Sequence, residues 1–278
     1  MKVHHLNCGT MRPFGGRLVD GLGSVFRRAE LVCHVLLLET ERDGLVLVDT
    51  GLGLADVRTP AATLPARFRH AARPVCDERE TAVRRVEALG FAASDVRHVA
   101  LTHLDVDHAG GVLDFPSARV HVLREELDDS ANPRYSPAQW RGADLVPHDP
   151  TGEAWFGFEG VRELLPDVLL VPLVGHTRGH TGVAVRAGGR WLLHAGDAYF
   201  FHGELEAAPH VPPVLGAFER VMQTVAHRRV ENLGRLRELV RDHGAGVDVF
   251  CAHDAADLRG RSSRPERAIG RPREPENP

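Results

Sequence analysis

Along the chain, short apolar runs ended by turn residues alternate with stretches in which apolar residues recur every three or four positions. Residues 31–39 (LVCHVLLLE) and 45–49 (LVLVD) flank the polar stretch 40–44 (TERDG), whose Asp43-Gly44 step suits the corner of a β-hairpin. Acids lead the segment 77–89, its apolar positions follow helical spacing and Gly90 closes it, which predicts a capped helix. Strands are expected at 96–102, 118–123, 168–174, 182–186, 190–195 and 247–252. In 229–243, Val230, Leu233, Leu236 and Val240 recur at helical spacing before Gly244. This is the pattern of an α/β chain with hairpins as well as crossovers.

Three stretches break that pattern. Residues 51–76 hold three prolines and many small residues, and 128–160 carry Pro133, Pro137, Pro147 and Pro150 among aromatic residues. Both are expected to be long loops of the kind that cover a binding site. The tail 259–278 is rich in Arg, Pro and Glu and nearly devoid of apolar residues, so it is expected to be disordered, beyond a single domain over 1–258.

Composition narrows the function classes. With 278 residues and a formal charge of −4, the chain lacks the dense positive surface of a general nucleic-acid binder. All but one of its 34 basic residues are arginine, an excess that reads as the signature of a GC-rich genome. Cys8, Cys33, Cys76 and Cys251 lie far apart without a CxxC pair and are expected to be reduced thiols. Neither a signal-peptide core nor an apolar run of about 18 residues is present, which points to a cytoplasmic protein acting on a small molecule, with no membrane or nucleic-acid partner. Nothing in the pattern specifies an oligomeric state.

Candidate chemistry concentrates at 103–111, where His103-Leu-Asp105-Val-Asp107-His108-Ala-Gly-Gly follows the strand expected at 96–102. A turn leaving a strand can aim these four metal-capable side chains at one or two ions, and composition alone would produce the pattern HxDxDH only about 0.005 times. His176 (VGHTRGHT), Asp197 (HAGDAY) and His253 (CAHD) sit near the ends of later strands and complete a set. Of the 17 histidines, His4 and His5 point to opposite faces of any strand and cannot easily share an ion. His34, His98, His121 and His194 fall inside strands, while His148, His202 and His210 fall in loops.

The order of these motifs, with Val48-Asp49-Thr50-Gly51 before them, resembles the metallo-β-lactamase superfamily over roughly residues 30–255, and most closely its lactonase-like branch. The resemblance implies a four-layered αββα sandwich with two divalent metal ions, usually zinc, at one edge of its two sheets. By position, His103, Asp105 and His176 would hold the first ion, and Asp107, His108 and His253 the second, with Asp197 bridging them. Asp105 stands where the family usually has a second histidine; a carboxylate there remains a competent ligand and shifts preference toward iron or manganese. Asp49 would orient neighbouring ligands, His180 would pack or hydrogen-bond behind them, and Tyr199 is a candidate, beside Asp107, for assisting catalysis. The implied reaction is attack of a metal-bridging hydroxide on a carbonyl, opening a lactone or cleaving a small carboxylic ester. A thioesterase of the glyoxalase II kind and a β-lactam hydrolase are the enzymatic alternatives. An iron-containing redox protein or a non-catalytic binder on the same scaffold is the alternative of another class.

Overall fold

A computed structural model describes residues 1–262. Among them, strands β1 (Lys2–Met11), β2 (Leu31–Glu39), β3 (Leu45–Val48), β4 (Val96–Ala100), β5 (Arg119–Leu123) and β6 (Asp144–His148) form one sheet in that order. A small hairpin, β7 (Gly152–Trp155) with β8 (Phe158–Gly160), leads into the second sheet. That sheet comprises β9 (Arg162–Leu165), β10 (Val168–Pro172), β11 (Thr181–Ala187), β12 (Arg190–His194) and β13 (Val247–Phe250), in the order β13-β12-β11-β10-β9.

Alternation along the strands explains why the two sheets face each other. Leu36 and Leu38 of β2 and Val46 and Val48 of β3 pack against Val168 and Leu170 of β10 and Val183 and Val185 of β11. The opposite faces take helices: Ala82, Val83 and Val86 of helix Ala82–Ala88 pack on the first sheet, and Leu233, Leu236 and Leu239 of helix Ala226–His243 on the second. The result is the metallo-β-lactamase fold, layered helix, sheet, sheet, helix.

The expected hairpin is present, with β2 and β3 antiparallel and Leu36 opposite Val48. The 77–89 segment begins as a 3₁₀ turn at Glu78–Glu80, where the Asp77 carboxylate accepts the Arg79 N–H, and becomes α-helical only at Ala82. Both expected loops contain more structure than their prolines suggest. Three short helices, Leu54–Arg58, Pro60–Thr63 and Ala66–Ala71, occupy 51–76. The 128–160 stretch holds β6, β7 and β8. Pro147 fits in β6 because β6 is an edge strand, where a missing N–H breaks no ladder. Ordered chain also passes the expected boundary at 258: helix Ala255–Ser262 is held by Arg259 against Glu30 at 2.8 Å and by Arg261, which pairs with Asp248. The remainder of the expected tail, 263–278, lies outside the described residues.

Candidate metal centre

Loops at the C-terminal ends of β4, β10, β12 and β13 converge on one buried cluster. Just past β3, Asp49 adopts a left-handed backbone with φ of 60°, and Gly51 follows at 62°. A Cβ on Gly51 would stand 2.2 Å from the Cys8 carbonyl oxygen, so only glycine lets the chain turn there. Thr50 accepts the next loop: its N–H and hydroxyl both donate to the His108 carbonyl, and its Oγ1 accepts from Gly111 N–H. Gly110 approaches so closely that a Cβ would lie 2.4 Å from the Asp56 carboxylate.

Hydrogen bonds behind the ring nitrogens fix how the histidines face the centre. His108 Nδ1 donates to Asp49 Oδ2 at 2.8 Å, and His253 Nδ1 donates to the Val32 carbonyl at 2.8 Å. Thr102 spends its hydroxyl proton on Asp49 Oδ2, so at 3.0 Å its oxygen accepts from His103 Nδ1. In their neutral forms all three rings therefore present Nε2 lone pairs. Those of His108 and His253 face each other at 3.3 Å, and Asp197 Oδ1 lies 3.3 Å from the first and 3.1 Å from the second, with Asp107 Oδ2 3.6 Å from His253.

Lone pairs and carboxylates packed this closely repel one another unless a cation lies among them. His103 Nε2 and Asp197 Oδ1 are buried without a hydrogen-bond partner, as ligand atoms awaiting a cation would be. With no ion counted, His108 holds a proton well above the ordinary histidine range: burial opposes it, but Asp197 and Asp49 on either side overcome that. Against burial, His253 and His108 keep Asp197 ionised far below the usual carboxylate range. Two nitrogens and two carboxylates from Asp107, His108, Asp197 and His253, with His103 adjacent, are a donor set that zinc accepts.

The chain's other expected site residues fall into place around this set. His180 donates from Nδ1 to the Leu173 carbonyl and accepts the Asp197 N–H at Nε2, both at 2.9 Å, and so holds the backbone of Asp197. His176 brings Nε2 to 3.4 Å from Asp197 Oδ2 and 3.0 Å from Asp105 Oδ2. Asp105, however, is already engaged by Arg134, whose Nε lies 2.7 Å from Oδ1 and whose Nη2 bonds Oδ2. Tyr199 is not at the centre. It is buried with Leu233, Leu236 and Cys251 under helix Ala226–His243, and its neighbour Phe200 turns inward instead, stacked on His253 with ring centroids 5.3 Å apart.

Sequence reasoning passed over Arg134 and Glu126. Glu126, fully buried, accepts from Leu104 N–H, Tyr135 hydroxyl, Thr177 hydroxyl and Gly179 N–H, at 2.6 to 3.1 Å. It thereby ties the 103–111 loop to the loop carrying His176. A carboxylate second in the acidic run Glu125-Glu126-Leu-Asp128-Asp129, with no motif around it, offers no sequence signal.

The model of the metallo-beta-lactamase superfamily matches residues 28–253. The chain belongs to this superfamily. A probable metallo-hydrolase of Mycobacterium tuberculosis is 44% identical over 91% of this chain and 80% of its own length. The N-acyl homoserine lactonase AttM of Rhizobium johnstonii is 28% identical over 79% of this chain and 81% of its own. Among solved structures, the Bacillus thuringiensis lactonase AiiA, with N-decanoyl-L-homoserine bound at its active site, superposes with a TM-score of 0.72. It covers 93% of this chain and 95% of its own at 21% identity, a likeness of fold. As a superfamily member, the chain is a metallo-hydrolase.

Proposed function

We propose that this protein hydrolyses a lactone or another small carboxylic ester, with zinc as its ion. The observation that carries the reading is the pair of Nε2 lone pairs of His108 and His253 facing each other at 3.3 Å beside Asp197, a constellation made for a divalent cation. When bound, such an ion supplies Lewis acidity toward a carbonyl and makes a water molecule more acidic.

The protein's own groups do the rest. Asp49 and the Val32 carbonyl lock the tautomers and aim of His108 and His253. Phe200, against both His253 and His176, keeps bulk water from that flank of the centre. Asp107, the most exposed of these carboxylates, lies 3.6 Å from His253 Nε2, and burial raises its affinity for a proton. A cavity of about 260 Å³ opens beside His253, walled by Leu22, Leu31 and Phe201, with His202, His210, Asp20, Glu30, Asp254 and Arg259 at its polar side. That mixture suits an acyl group carrying an amide or ester. The lactonase relatives favour a lactone among the esters.

Zinc-loaded protein offered an N-acyl homoserine lactone, an acyl thioester and a chromogenic cephalosporin should turn over the lactone fastest, and His253→Ala should reduce that rate at least about a hundredfold. Faster thioester or cephalosporin cleavage would move the assignment to that class. No turnover of any of the three with metal bound would overturn hydrolysis of a carbonyl compound.

A further inference from the structure

The reading of the cluster as a metal centre leaves Arg134 unexplained, and its bonding is unusual for an arginine beside ligands. Its Nε and Nη2 grip both oxygens of Asp105 in the bidentate manner that matches guanidinium to carboxylate. The second Nη2 hydrogen lies toward His176 Nε2 at 2.8 Å. An arginine nitrogen can only donate, so His176 Nε2 accepts there, and its 3.0 Å approach to Asp105 Oδ2 is a contact between two acceptors that share the Nη2 donors. Nη1 points to the His176 carbonyl at 3.1 Å, the Met222 carbonyl at 3.0 Å and Thr224 Oγ1 at 3.2 Å.

An arginine has five N–H donors. All five are directed at protein acceptors, so none is left for a substrate, and the side chain is only 11% exposed. Arg134 is thus neither a mobile clamp nor an anion receptor. The three donors expected to hold a first ion, His103, Asp105 and His176, lie within 4.8 Å of one another, but the guanidinium takes the single lone pair of His176 Nε2 and one from each Asp105 oxygen. The donors around His108 make no such contact: Asp107, Asp197, His253 and His108 itself touch no arginine among the described bonds.

We propose that Arg134 is a built-in substitute for one of the family's two ions, neutralising Asp105 and capping His176, so that this centre holds a single divalent cation between His108, His253, Asp107 and Asp197. The inference rests on the metal-centre reading above and sharpens it: the carboxylate at 105 and the arginine at 134 form one unit. His103 Nε2, without a hydrogen-bond partner and 3.3 Å from Asp105 Oδ2 and 3.8 Å from Asp197 Oδ2, adds a fifth donor to that ion from the side of His108 and Asp197.

The test is metal stoichiometry, which needs no substrate. Purified full-length protein is stripped, titrated with cobalt(II) while its visible absorption is followed, reloaded with zinc for elemental analysis, and crystallised for an anomalous-scattering map. The expected result is one equivalent per chain and one peak near His108, with Arg134 still on Asp105. Arg134→Met frees Asp105 and His176 and should raise the ratio from one to two. The double variant Asp105→His/Arg134→Met, which restores a histidine, should also bind two. Two ions in the unaltered protein, or none, would overturn the proposal, as would a ratio that stays at one in both variants. The wild-type ratio decides even if the variants fail to fold. One ion without carbonyl hydrolysis would sink the proposed function and leave this inference standing; two ions with hydrolysis would do the reverse.

Discussion

A single buried carboxylate holds two halves of the centre in register. Truncating Glu126 to alanine strands four donors at once, two backbone and two hydroxyl, each costing ~1–3 kcal/mol if water does not replace the partner. The expected loss for Glu126→Ala is about 3–5 kcal/mol of unfolding free energy by urea titration. A loss below about 1 kcal/mol would mean that solvent reaches these donors. Asp49 acts on the ion indirectly: its carboxylate serves Thr102 N–H, the Thr102 hydroxyl and His108 Nδ1. Asp49→Asn should keep the fold and weaken zinc about 10–100-fold in a chelator competition; unchanged affinity would show that His108 needs no such anchor. Ligands clustered within six positions were legible because their spacing is improbable. Arg134 was not, hidden in an arginine-rich composition, although an acid standing in for a ligand histidine is itself a reason to search for a cationic partner.

Elements proved legible in proportion to how deeply both their faces are buried. β2, β3, β10 and most of β11 carry near-continuous apolar runs because a sheet lies on one side and helices or loops on the other. β6, β7 and β8 are short, half-exposed or proline-bearing, and their pairing partners rather than their composition make them strands. Tyr199 and Phe200 illustrate the same limit at the end of β12, where one position decides which ring meets His253, and turn geometry that sequence does not encode decides the position. The turn after β3 offers a test at this scale. Gly51→Ala must force a Cβ against the Cys8 carbonyl at positive φ and so displace Asp49 and Thr50. It should lower the melting temperature and reduce bound metal together, measured by calorimetry and elemental analysis. A stable variant with full metal content would show that the turn can relax without disturbing the site.

Across the whole molecule, neutral histidines are buried far from the ligands. His5 is held down to about 4, by burial first and then by nearby Arg261. His121 is held down to about 3 by burial, with His148 and His98 hydrogen-bonded on either side. Between those values and the ordinary 6.5, the unfolded chain binds protons that the folded one refuses, so stability is full above pH 6.5 and falls as pH drops through that window. Each such group contributes up to about 1.4 kcal/mol per pH unit there. Urea midpoints should be lower at pH 5 than at pH 7, with a shallower dependence in His121→Gln; equal midpoints at both pH values would contradict this. The candidate ligands straddle the sandwich: His103 and His108 follow strands of the first sheet, while Asp197 and His253 follow strands of the second. An ion held by both would be a rivet through the seam, and the layers could not part without releasing it. Each tenfold rise in free zinc above its dissociation constant should then add about 1.4 kcal/mol against unfolding. Chelator-treated protein should be cleaved faster by protease than reloaded protein, and equal rates would deny the rivet. Metal supply would govern how long each copy of the enzyme survives as well as whether it turns over.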